Sequence, residues 1–167
     1  MGLAYWVLYL ILFDTSPLVF CVSELSWTAS YIFLALRLYA DIPKEKQKGK
    51  AVFWILPAFS LAMCIFFYTR GSYFENILMG MAMGVLGYYA VKGICLAKTR
   101  NRSGKPLIFY AALFFYAAEY LLWISSYFIT ENIFVNPYYL VDILILNPAL
   151  VMIAVAQSRE EKPCRTI

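Results

Sequence analysis

The feature that most constrains this chain is the length of its apolar intervals. They run from about residue 2–13, 18–39, 51–69, 76–97, 106–130 and 137–157, and most charges fall between them. A transmembrane helix needs about 20 mostly apolar residues, and most of these windows approach or exceed that length. Of the 167 residues, 63% are hydrophobic and 14% charged, whereas a soluble domain carries roughly 25% charged residues. The pattern predicts an all-α fold: a polytopic transmembrane bundle of about six helices. The bundle forms one domain over residues 1–157, followed by a short cytoplasmic tail at 158–167.

Charge distribution predicts the orientation. Basic residues gather at Arg37 with Lys44, Lys46, Lys48 and Lys50, at Lys98 to Lys105, and in the tail at Arg159, Lys162 and Arg165. Lys92 can snorkel from a helix end, and only Arg70 stands apart. By the positive-inside rule, the loops at 41–50 and 98–105 and both termini are cytoplasmic. The turns around Asp14, Arg70–Glu75 and Glu131–Asn136 then lie outside. This is the signature of a multi-pass protein of the cell membrane with membrane lipids as its first partners, and the basic clusters also suit anionic lipid. A net charge of +4 is too small to suggest nucleic acid. No charged, apolar and cleavage regions line up as a removable signal peptide.

The residues also narrow the chemistry. With no histidine in the chain, zinc sites of the usual type and Ser-His or Cys-His catalysis are largely excluded. Cys21, Cys64, Cys95 and Cys164 are scattered without a CxxC spacing, and small core residues are the simpler reading. No metal and no cofactor is expected.

The first window is too short to cross a core of about 30 Å at about 1.5 Å per residue. "YWVLYLILFDTSPLVFCVSEL" (5–25) lies over "LWISSYFITENIFVNPYYLVDI" (122–143) with one gap, so that Trp6 meets Trp123, Asp14 meets Glu131 and Glu24 meets Asp142. As a hairpin repeat, this alignment implies that the chain begins partway through its first helix.

Placing the turns sorts the acids. Asp14, Glu75 and Glu131 fall in outer turns, whereas Glu24, Glu119 and Asp142 fall near mid-bilayer, where an ionised group costs about 2.5–3.5 kcal/mol. No basic residue matches their depth. They are therefore either protonated or holding a cation or amine. One reading is an acidic and aromatic pocket; the other is three separate acids acting as interhelical glue. Spacing supports the pocket: Glu24, Trp27 and Tyr31 share one helical face, as do Glu119, Trp123 and Tyr127. Ser23, Ser26, Ser30, Ser125 and Ser126 add hydroxyls, and Asn147–Pro148 frees a backbone carbonyl in the helix of Asp142. Such a face suits a small amphipathic or cationic ligand. Gly80 and Gly84 permit close helix approach, either within the chain or in an oligomer.

Two families share short stretches with this sequence. "SELSWTASYIFLALRLY" and "VDILILNPALVMIAVA" resemble helices of multi-helix membrane sensor domains found ahead of bacterial diguanylate cyclases and histidine kinases. That resemblance implies a signal-receiving module, although "QSREEKPCRTI" carries no output domain. "AAEYLLWISSYF" with the hairpin ending "AVAQS" is similar to the end of YhhN-type lysoplasmalogenases, and implies an intramembrane acid pair acting on a vinyl-ether lipid. Glu119 would stand where that family favours Asp; the family's histidine is missing, and it has eight helices to the six windows here. Enzyme, sensor and transporter therefore stay open. A hydrolase would draw its acid and base from Glu119, Asp142 and Glu24, one protonated and one ionised.

Overall fold

A computed structural model describes residues 2–13, 22–42, 50–69, 73–100, 107–126 and 151. Among them the chain is 94% helical, with no strand. The helices are α1 (Gly2–Phe13), α2 (Val22–Asp41), α3 (Ile55–Phe66), α4 (Tyr73–Arg100) and α5 (Leu107–Ser126), with a 3-10 turn at Ala51–Trp54 ahead of α3. The sixth window lies outside the described residues except at position 151. The chain divides into two compact units, Met1–Gly93 and Ile94–Ile167.

In the first unit, α1 packs on α2 and carries a ladder of rings, with Tyr9 and Phe13 centroids 4.6 Å apart. Helix α2 buries Thr28, Tyr31, Ala35 and Leu38, and Ile42 just past its end is buried with them. Their spacing of three and four residues is that of one helical stripe. Leu25, Ile32, Phe33 and Leu36 are exposed. At its last turn Arg37 pairs with Asp41 at 3.6 Å, a half-exposed contact worth about 0.3–0.5 kcal/mol.

The entry to α3 is a 3-10 turn, followed by Pro57 in the first helical turn, where a missing N–H leaves no bond unmade. The helix stops at Phe66, and the Phe67 N–H closes back on the Met63 carbonyl at 2.9 Å. The buried Phe67 carbonyl, left without a partner in its own helix, is capped from the next one: Asn76 Nδ2 donates to it at 2.8 Å. The Cys64 thiol in turn donates to the Asn76 carbonyl at 3.3 Å.

Helices α3 and α4 meet where both are small. A Cβ on Gly80 would meet Cys64 Sγ, and one on Gly84 would lie 3.6 Å from Ser60 Cβ and 3.7 Å from Pro57 Cα. Gly80 and Gly84 are thus buried against α3 of the same chain. Glu75 differs from the expected outer turn: it is half-buried in the first turn of α4. An acid there is favoured by the unpaired N–H groups and dipole of a helix start.

Two helices are long and apolar enough to cross a membrane, over Tyr73–Ala97 and Leu107–Ser125. Of their best windows 44% and 39% are buried within the protein, and each helix also carries a row of exposed apolar side chains. The second and third windows are less complete as spans. Helix α2 carries Glu24, Arg37 and Asp41 with several hydroxyls, and Ala51–Phe66 is a shorter apolar helix.

Candidate functional site

Helix α5, in the second unit, divides cleanly into two faces. Leu107, Tyr110, Phe114 and Leu121 are exposed, with spacings of three, four and seven residues. Ile108, Phe109, Ala112, Phe115, Tyr116 and Tyr120 are buried on the opposite side. Glu119 is half-buried. Three residues after Tyr116 and four before Trp123, it falls on the inward side of the helix by the 3.6-residue period. A carboxylate in that position avoids the outward apolar stripe, as an ionisable group in an apolar helix must.

The rings around Glu119 form a ladder. Tyr116 and Tyr120 have centroids 4.9 Å apart and tilted by 60°. Tyr120 and Trp123 follow at 6.1 Å, with planes only 20° apart. Their spacing, 116, 120 and 123, repeats one helical face. The sequence signal was present in "YAAEYLLW", but Tyr116 and Tyr120 were not among the expected pocket residues.

The remaining expected residues are placed unevenly. Glu24 falls in the first turn of α2, where the structure describes its backbone. Trp27 is half-buried on that helix and Tyr31 is 5% exposed. Tyr127, Asp142 and Asn147 lie outside the described residues. Of the three acids, Glu119 is the one whose side chain falls among the described residues.

Two of the five expected hydroxyls close on their own helices. Ser30 is exposed and donates to the Ser26 carbonyl at 2.9 Å. Ser125 donates to the Leu122 carbonyl at 2.9 Å. Each closes on its own helix, the ordinary way for Ser to satisfy itself in a helix interior, so neither is directed at a shared site.

A second polar constellation lies at the α3–α4 contact, where Ser60 and Asn76 are buried. Asn76 is committed to capping, and the seam is structural. Among the described residues, no three His, Cys, Asp or Glu side chains come together as a metal site requires. No protein family matches the chain, and no curated protein or solved structure matches it.

Proposed function

We propose that the protein is a multi-pass helical protein of the cell membrane, with both termini cytoplasmic. In this reading it works as a ligand-binding or sensing module for a small amphipathic cation. The observation that carries the reading is the division of α5. Its outward side is continuous apolar surface, while its one acid sits on the inward side beside a stacked tyrosine–tryptophan ladder. Carboxylate and aromatic faces together attract a desolvated cation, each ring contributing about 0.5–2 kcal/mol. Support for the membrane comes from the exposure of large apolar side chains on every described α-helix. A soluble protein does not tolerate such continuous apolar surface. Glu24 and Asp142 are proposed to complete the acidic lining. A lysoplasmalogenase-like hydrolase or a transporter would need one of them beside Glu119.

The test is ligand-dependent thermal stabilisation of the full chain in detergent. A long-chain trimethylammonium amphiphile, at a hundred times its Kd, raises the Tm by roughly 5–10 °C. The matching long-chain sulfonate does not. Glu119→Gln, and separately Asp142→Asn, reduce the shift. Equal shifts in the wild type and Glu119→Gln would rule out an acidic ligand site.

A further inference from the structure

The first unit carries a second constellation, separate from the α5 acid. Tyr88 of α4 lies against Trp54 of the 3-10 turn, with centroids 5.2 Å apart. Phe53 meets Tyr88 edge-on at 6.1 Å. Lys92, one turn further along α4, holds its Nζ 5.6 Å from the centre of the Tyr88 ring. The cation is thereby fixed in place by a ring rather than by a carboxylate. Among the described residues no acid pairs with Lys92, and none accepts a hydrogen bond from the Trp54 indole N–H or the Tyr88 hydroxyl. Among the described residues, one ammonium, one indole N–H and one phenol O–H thus have no protein acceptor.

These donors sit at the end of an apolar stripe. Ile77, Met81 and Val85 are exposed along α4, Met81 by 66%. With Tyr88 and Lys92 they advance by four, four, three and four residues, which keeps all five within one side of the helix. From Ile77 to Lys92 the stripe is about 22 Å long, somewhat more than one leaflet of a core of about 30 Å. Trp54 is 61% exposed beside it. The surface is apolar along its length and donates hydrogen bonds and positive charge only at one end. Its occupant must be apolar over most of its length and anionic at one end.

We propose that Lys92, Tyr88 and Trp54 accept the phosphate of an anionic phospholipid, whose acyl chains lie along Ile77, Met81 and Val85. The site rests on the membrane reading above and assigns the lipid class that reading leaves open. Lys92 supplies the charge, Trp54 and Tyr88 the direction, and the cation–π contact keeps the ammonium at the depth of the headgroup. The basic residues at 44–50 and 98–105, close in sequence to Trp54 and Lys92, would raise the local concentration of the same lipids.

The experiment has two parts. Flotation of the reconstituted full chain with phosphatidylcholine vesicles tests membrane insertion alone, and a chain that does not float would overturn the membrane reading. Native mass spectrometry from mixed phosphatidylglycerol and phosphatidylcholine micelles then reads lipid retention. Wild type enriches phosphatidylglycerol, and Lys92→Gln lowers that enrichment about fivefold. Trp54→Phe, which keeps a ring but removes the N–H, lowers it about threefold. Lys162→Gln, which removes the same charge from the tail, leaves it unchanged. Millimolar inorganic phosphate does not displace the lipid. Equal enrichment in wild type and Lys92→Gln, an equal loss in Lys162→Gln, or displacement by inorganic phosphate would each overturn the site even if the chain floats.

Discussion

Asn76 holds the end of one helix from the start of the next. Its Nδ2 donates at 2.8 Å to the carbonyl of Phe67, nine residues earlier and just past the end of α3. Asn76 is 2% exposed, so neither group has water as a substitute. Replacing Asn76 with Ala leaves a buried carbonyl unsatisfied and costs about 1–3 kcal/mol. Denaturant titration in detergent, followed by circular dichroism, measures it. Asn76→Gln places the amide one methylene too far and recovers only part of the loss.

The glycines of α4 are not equivalent. A Cβ at position 80 meets Cys64 Sγ, while one at 84 finds ordinary contact distance to Ser60. Gly80→Ala is destabilising by about 1–3 kcal/mol through overpacking, because turning Cys64 away also breaks its bond to the Asn76 carbonyl. Gly84→Ala gains up to about 1 kcal/mol of helix propensity. The double variant Gly80→Ala with Cys64→Ala recovers stability relative to Gly80→Ala alone, a coupling that a double-mutant cycle reads directly.

On α2, two leucines two residues apart have opposite surroundings. Leu38 has no exposed surface and Leu36 is largely exposed. Leu38→Ala costs about 2–5 kcal/mol in unfolding experiments. Leu36→Ala stays within about 0.5 kcal/mol. Similar losses at both positions would mean that the stripe through Thr28, Tyr31 and Ala35 is not the packed face.

Much of this was legible in the sequence. The apolar windows at 2–13, 51–69, 76–97 and 106–130 anticipate α1, the turn with α3, α4 and α5 to within a few residues, because long uncharged runs admit few alternatives to helix. The window at 18–39 is offset from α2, since the helix continues through Arg37 to Asp41, whose side chains pair with each other. What periodicity does not carry is partnership between helices. Asn76 reads as an ordinary helix-start residue until Phe67 is brought beside it. Tyr88, Trp54 and Lys92 are far apart in sequence except for the i,i+4 pair, and "AVFW" gives no sign that it turns as a 3-10 segment against α4. At the candidate site, the one-face spacing of Glu119 and Trp123 was readable, whereas the role of Ser30 and Ser125 as bonds to their own helices was not.

Charge on the outward side of α5 separates a lipid-facing surface from a water-facing one. Leu121 is 69% exposed. Leu121→Lys reduces membrane insertion of α5 by about 2.5–3.5 kcal/mol, measurable as the inserted fraction in a translocation assay. On a water-facing surface the same change would be harmless and would raise solubility.

The most direct test reads the surroundings of α5 one position at a time. In full-length protein with the four cysteines replaced, nitroxide labels at positions 114, 119 and 121 are compared in lipid vesicles by electron paramagnetic resonance. Labels replacing Phe114 and Leu121 should be mobile and relaxed strongly by oxygen, which concentrates in lipid. A label replacing Glu119 should be immobilised and shielded from oxygen. Equal oxygen access at all three positions, or stronger relaxation at 114 and 121 by a water-soluble nickel chelate, would contradict a lipid-facing stripe with an inward acid.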